Sequence, residues 1–195
     1  MKYGQPKIDA AIQEAKEDGC RQIIMLPLFP YEFSDLQLCA PWHKHPLYIR
    51  AVTDGIKNAL AKLRGADSAN THLIFSAHAI PNLSSKKTAY LKQINESIVE
   101  IMKNFAGYKW QLAFQSAPFK LGWTKPDVKA IMSSLPPIET FGGKLQQGSR
   151  MHKLDSRLCG NDNTGFTNLL IIPLGFAFEN LETLYEIDKI YIPYA

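Results

Sequence analysis

The sequence is poor in cysteine, in long apolar runs and in clustered charge, and each shortage excludes a class of protein. Its three cysteines, Cys20, Cys39 and Cys159, lie far apart and form no CxxC pair. That excludes a cysteine zinc site or a disulfide framework, gives no basis for an iron–sulfur centre, and fits a reducing cytosol. A cytoplasmic location is therefore expected. No run reaches the roughly 18 apolar residues that a transmembrane helix needs. The opening residues, MKYGQPKIDAAIQEAKEDG, lack the apolar stretch of a secretory signal. The net charge of +4 is spread along the chain, so no nucleic-acid partner is expected. What remains is an ordinary globular composition. Of 195 residues, 46% are hydrophobic and 21% charged, enough to bury a core in one domain or two small ones.

Apolar spacing alternates between helix and strand. Ile8, Ala11, Ile12 and Ala15 share a helical face over 7–18, with Gly19 placed to end it. The run QIIMLPL (22–28) reads as a buried strand. Ile49, Val52, Ile56, Leu60 and Leu63 mark a helix over 47–64. THLIFSA (71–77) reads as a strand, 88–105 as a helix with Leu91, Ile94, Ile98, Ile101, Met102 and Phe105 on one face, and KWQLAFQ (109–115) as a strand. A helix is expected from Pro126 to Leu135, a strand over 167–174 and a helix over 179–188. Strands that are continuously apolar and separated by helices predict an α/β fold with a doubly wound parallel sheet covered on both faces. Residues 136–166 carry neither period. They begin Pro136-Pro137 and hold five of the twelve glycines, so they read as an irregular insert or linker.

In such sheets ligands bind beyond the carboxyl ends of the strands. His78 follows the strand 71–77, within FSAHAIP (75–81). GFAFENLETLYE (175–186) follows the strand 167–174 and carries Glu179, Glu182 and Glu186. A histidine and a carboxylate from different strand ends form a plausible pair for metal or proton handling. Trp42-His43-Lys44-His45 has the spacing of an HxH metal site. His72 at a strand start and His152 in the insert read as structural.

Those two segments carry a resemblance. FSAHAIP is similar to the FS-x-H-G-I-P segment of ferrochelatases, and GFAFENLETLYEID to their G-F-x-x-D-x-L-E-T-L-x-E-I segment. MKYGQP (1–6), LPLFP (26–30), HPLYI (45–49), FQS (114–116) and WTKP (123–126) follow in the family's order, and 136–166 stands outside the likeness. The resemblance implies two Rossmann-like lobes of the chelatase type. Residues 1–66 would be the remainder of an incomplete N-terminal lobe. Residues 67–195 would form the C-terminal lobe, with the insert at about 136–166.

It also implies insertion of Fe²⁺ into a porphyrin, protoporphyrin IX to protohaem, in haem biosynthesis, with no organic cofactor. Porphyrin and ferrous iron would be the partners; membrane association and oligomeric state are not written in the sequence. His78 and Glu182 take the catalytic and metal roles, Glu179 joins as a metal ligand, and Phe29, Tyr31, Phe33 and Trp123 become candidate walls for the ring. His45 falls on the family's H-P-x-Y-I turn, which leaves His43 incidental, and Glu186 reads as a surface charge. The residue types suit the chemistry. A neutral imidazole accepts a proton or ligates iron near neutral pH. Carboxylates are hard oxygen ligands that also remove protons. Two other classes compete with this reading: an inactive fragment that only binds a tetrapyrrole, and a chelatase for another metal and macrocycle.

Overall fold

A computed structural model of the chain describes residues 6–24, 28–32, 40–63, 65–117, 121–133, 150–153, 168–176 and 183–191. The chain divides into two units. One comprises Met1–Pro27 with Leu36–Ala40, the other Leu28–Asp35 with Pro41–Ala195. The smaller unit contains α1, Ile8–Glu17. Gly19, at φ +80°, ends it: Gly19 N–H donates to the Lys16 carbonyl and Cys20 N–H to the Ala15 carbonyl, each at 3.0 Å. A left-handed glycine is what this paired cap requires. The strand expected over 22–28 does not form in its described part. Residues 22–24 have no partner strand among the described residues, and Ile24 is 81% exposed. An apolar run without a neighbour for its N–H and C=O groups gains nothing from extension.

The larger unit is an α/β sandwich around one sheet. Its elements are α2 (Pro46–Lys62), β1 (Thr71–His78), α3 (Lys87–Met102), β2 (Lys109–Gln115), α4 (Val128–Ser133), β3 (Arg150–Lys153), β4 (Asn168–Pro173) and a terminal helix of π type, Thr183–Tyr191. The sheet order is β2-β1-β4-β3. β1 runs parallel to both neighbours, pairing His78 with Gln115 on one side and Ser76 with Pro173 on the other. β3 is antiparallel to β4. This short edge strand falls inside 136–166, where the sequence shows no period: four residues paired at an edge are too few to impose one.

Alternation along the central strands sorts the core into two faces. Leu73, Phe75 and Ala77 of β1 pack with Leu170 and Ile172 of β4 under α2 and α3, which add Ile56, Ala59, Tyr90, Ile94, Ile98 and Ile101. Ile74 of β1, Ala113 of β2 and Leu169 and Ile171 of β4 face the other way, against Val128 of α4 and Ile187 of the terminal helix. Both faces are covered, as continuous apolar strands require.

Local chemistry sets the helix starts. Pro46 opens α2, and His45 Nδ1 accepts from Leu47 N–H at 3.3 Å. α4 starts at Val128 rather than Pro126. The Asp127 carboxylate accepts from Lys129 N–H at 2.7 Å and takes the capping position.

Candidate functional site

β1 is the central parallel strand, and its last residue is His78. The chain beyond it is held on both sides. Ala79 N–H donates to the Gln115 carbonyl at 2.7 Å, and Leu174 N–H donates to the Ser76 carbonyl at 2.8 Å. Beneath them Ser76 Oγ donates to Gln115 Oε1 at 2.6 Å, both side chains buried. The loop after His78 is stitched to the segment around Trp123. Thr124 N–H donates to the Ile80 carbonyl at 2.9 Å, Ile80 N–H to Thr124 Oγ1 at 3.1 Å, and Asn82 N–H to the Gly122 carbonyl at 2.7 Å. The FSAHAIP and WTKP segments therefore build one rim.

The His78 ring is half-buried, with Nδ1 2.6 Å from the Ala79 carbonyl oxygen. A carbonyl only accepts, so Nδ1 carries the hydrogen, and the lone pair of the neutral ring lies on Nε2. Gly175 runs its main chain against His78; a Cβ there would sit 3.4 Å from His78 N. This brings Phe176 edge-on to the imidazole, ring centres 6.5 Å apart, and Phe29 packs on Phe176 at 5.3 Å. The imidazole thus has Phe176 beside it, and Phe29, 40% exposed, stands behind Phe176.

The other expected residues fall differently. Trp123 is partly buried against the core and pairs with Pro81 in the rim. Tyr31 is 5% exposed and sits in the core, its hydroxyl 3.1 Å from that of Tyr48. Phe33, Glu179 and Glu182 lie outside the described residues. Among the described residues no three histidine, cysteine, aspartate or glutamate side chains converge as a metal cluster.

Three features went unread in the sequence. Phe176, inside GFAFENLETLYE, does not stand out as a single apolar residue, although its place just past a parallel strand points to the rim. Glu186 is no simple surface charge: its Oε2 accepts from Ser116 Oγ at 2.7 Å, joining the terminal helix to the end of β2. Ser116 itself has φ +63°, a left-handed conformation that non-glycine residues adopt at a cost of roughly 1–2 kcal/mol. His43 is not incidental either. It is buried, and its Nε2–H donates to Glu96 Oε2 at 2.8 Å, with Lys44 Nζ 3.3 Å from the same oxygen. The His43 bond, helped by Lys44, holds the Glu96 carboxyl below the usual carboxylate range. With His45 capping α2 and His43 paired to Glu96, the HxH spacing makes no metal pair.

The family model for ferrochelatase matches residues 32–140, more than half of the chain, and takes in both segments of the rim around His78. The chain belongs to the ferrochelatase family. It is 28% identical to the ferrochelatase of Aquifex aeolicus (strain VF5) over 98% of its own length and 59% of that protein. It is 26% identical to that of Synechococcus sp. (strain RCC307), covering 96% of this chain and 48% of the relative. With the ferrochelatase of Geobacter sp. (strain M21) the identity is 24%, over 96% and 57%. The chain thus spans about half the length of the curated ferrochelatases it matches. The three parallel strands of the open sheet are those of a ferrochelatase-type, Rossmann-like lobe, and no helix among the described residues is long and apolar enough to cross a membrane.

Proposed function

We propose that this chain carries the metal-insertion site of a ferrochelatase, placing Fe²⁺ in a porphyrin, protoporphyrin IX to protohaem, in haem biosynthesis. Family membership supports the reaction class. The single structural observation that carries the site is the His78 ring at the carboxyl end of β1, its Nδ1 tied to Ala79, with Phe176 edge-on beside it and Phe29 packed on Phe176. Aromatic rings beside an imidazole suit a flat macrocycle whose centre must be reached by a base. Phe29 would touch the ring, and Phe33 and Trp123 are further wall candidates.

Insertion exchanges two pyrrole protons for one divalent ion. Nε2 of neutral His78 takes one proton as the nitrogen lone pair turns to the metal. The Glu182 carboxylate, following β4, receives the other and, with Glu179, helps Fe²⁺ shed its water. The division into lobes at residues 1–66 and 67–195 belongs to the same proposal.

The test is metal insertion by the purified chain with free-base porphyrin and Fe²⁺ under anaerobic conditions, or Zn²⁺ as a stable surrogate. The wild type should give metalloporphyrin. His78→Ala should lower the rate by about 10²-fold or more, the usual scale for losing a general base, without lowering the melting temperature. A folded wild type that quenches porphyrin fluorescence yet inserts no metal would sink the proposal and leave a tetrapyrrole-binding protein. Preference for cobalt and a corrin-type ring in competition would assign another chelatase.

A further inference from the structure

Three tyrosines lie together beneath the site. Tyr31, Tyr48 and Tyr90 are 5%, 9% and 2% exposed. Burying a hydroxyl is unfavourable unless it is hydrogen-bonded, and phenylalanine would fill the same space without that penalty. Each hydroxyl here has a definite target. Tyr90 Oη, from α3, donates to the His78 carbonyl at 2.9 Å. Tyr48 Oη, from α2, donates to the Leu174 carbonyl at 3.3 Å. Because Tyr48 has given away its only hydrogen, Tyr31 Oη donates to Tyr48 Oη at 3.1 Å. The Tyr31 ring packs edge-on against Tyr90, centres 5.7 Å apart. Burial pushes all three phenols above their ordinary range, so they remain donors at any physiological pH.

The two carbonyls are not arbitrary. β1 and β4 stop pairing at Ser76 and Pro173. His78 and Leu174 lie just beyond; there the Leu174 N–H bond to the Ser76 carbonyl ties the main chains, and the two tyrosine hydroxyls take up the His78 and Leu174 carbonyls. Leu174 leads directly into Gly175 and Phe176, the residues that lie against His78. We infer that Tyr90 and Tyr48, joined through Tyr31, are positioning residues that grip the ends of β1 and β4 and so hold the His78 imidazole in register with Phe176. They do not touch substrate. They act on the main chain of His78 itself and of the residue that leads into Gly175 and Phe176.

The inference rests on the proposed function for its rate readout but not for its structural one. The test uses the full chain with Tyr90→Phe and Tyr48→Phe, and Tyr108→Phe as a control phenol outside this chain of hydroxyls. Three quantities are read: melting temperature, zinc insertion with kcat and KM separated, and the NMR resonances of the His78 ring with its contacts to Phe176. Tyr90→Phe and Tyr48→Phe should stay folded, shift the His78 resonances and weaken the Phe176 contact. Each should lower kcat about tenfold, a sub-ångström misplacement by the usual scale, while KM barely moves. Tyr108→Phe should change none of these. Folded variants with wild-type kcat and wild-type His78 resonances would overturn the inference. Unfolding of both would also overturn it, by assigning the tyrosines to general stability. Should the wild type insert no metal, the proposed function fails, while the His78 resonances still decide the grip.

Discussion

A main-chain carbonyl decides what His78 can do. The contact from Nδ1 to Ala79 leaves the neutral ring's lone pair on Nε2, so proton acceptance and metal ligation share one atom. His43 has the opposite arrangement: its Nε2 faces the Glu96 carboxylate, which makes it a structural pair between the segment before α2 and α3. Glu96 has a lower pKa in the folded chain than unfolded, because of His43 first and Lys44 second. A carboxylate of this kind stabilises the fold above its unfolded value and loses that contribution as pH falls through its folded value. Glu96→Gln should therefore melt below wild type at pH 7, and the gap should close under acid, below the ordinary 4.5. Thermal melts across pH check this; a gap that widens on acidification would contradict it. The place of His78 at a strand end was legible in the sequence because an apolar run leads into it. His43 was not, because its partner lies 53 residues away and no local pattern records such a pair.

Among the elements, the rim between the end of β1 and the segment before α4 depends on Thr124. Its buried hydroxyl accepts from Ile80 N–H, and its own N–H returns a bond to Ile80. Thr124→Val keeps the shape and leaves a buried N–H without its acceptor, which costs about 1–3 kcal/mol. Urea unfolding should register that loss, and metal insertion should fall with it because Ile80 and Pro81 follow closely on His78. No change in either would mean the rim is held elsewhere. The long helices and the strands β1, β2 and β4 were readable from apolar spacing, which burial on one or both faces imposes. The start of α4 was not: Pro126 looks like a first-turn residue, and only the Asp127 cap shows otherwise. The apolar run at 22–24 misled because strand formation depends on a neighbour, which composition does not reveal.

For the whole molecule, the sheet separates the two cores and the site stands at its carboxyl edge. Ile98 on α3 is fully buried in the core that covers one face of β1 and β4. Ile98→Ala should cost about 2–5 kcal/mol by the scale of core truncations. The loss should appear in the melting of the sheet without altering KM for porphyrin in the fraction still folded. The sheet also determines which features of the family were legible. The direction of β1, β2 and β4 follows from apolar strands with helical crossovers, and His78 stands at the central strand's carboxyl end for the same reason. The aromatic backing of Phe29 and Phe176 brings together residues far apart in the sequence and became visible only with the sheet in place.

The most direct measurement is a crystal structure of the chain with a free-base porphyrin bound. The ring should lie along Phe29 and Phe176, with His78 Nε2 within about 3.5 Å of a pyrrole nitrogen, a reacting distance, and the Glu182 carboxylate on the same cavity. A porphyrin bound elsewhere, or a His78 whose Nε2 turns away from the pyrrole nitrogens, would contradict the assignment of this histidine to metal insertion.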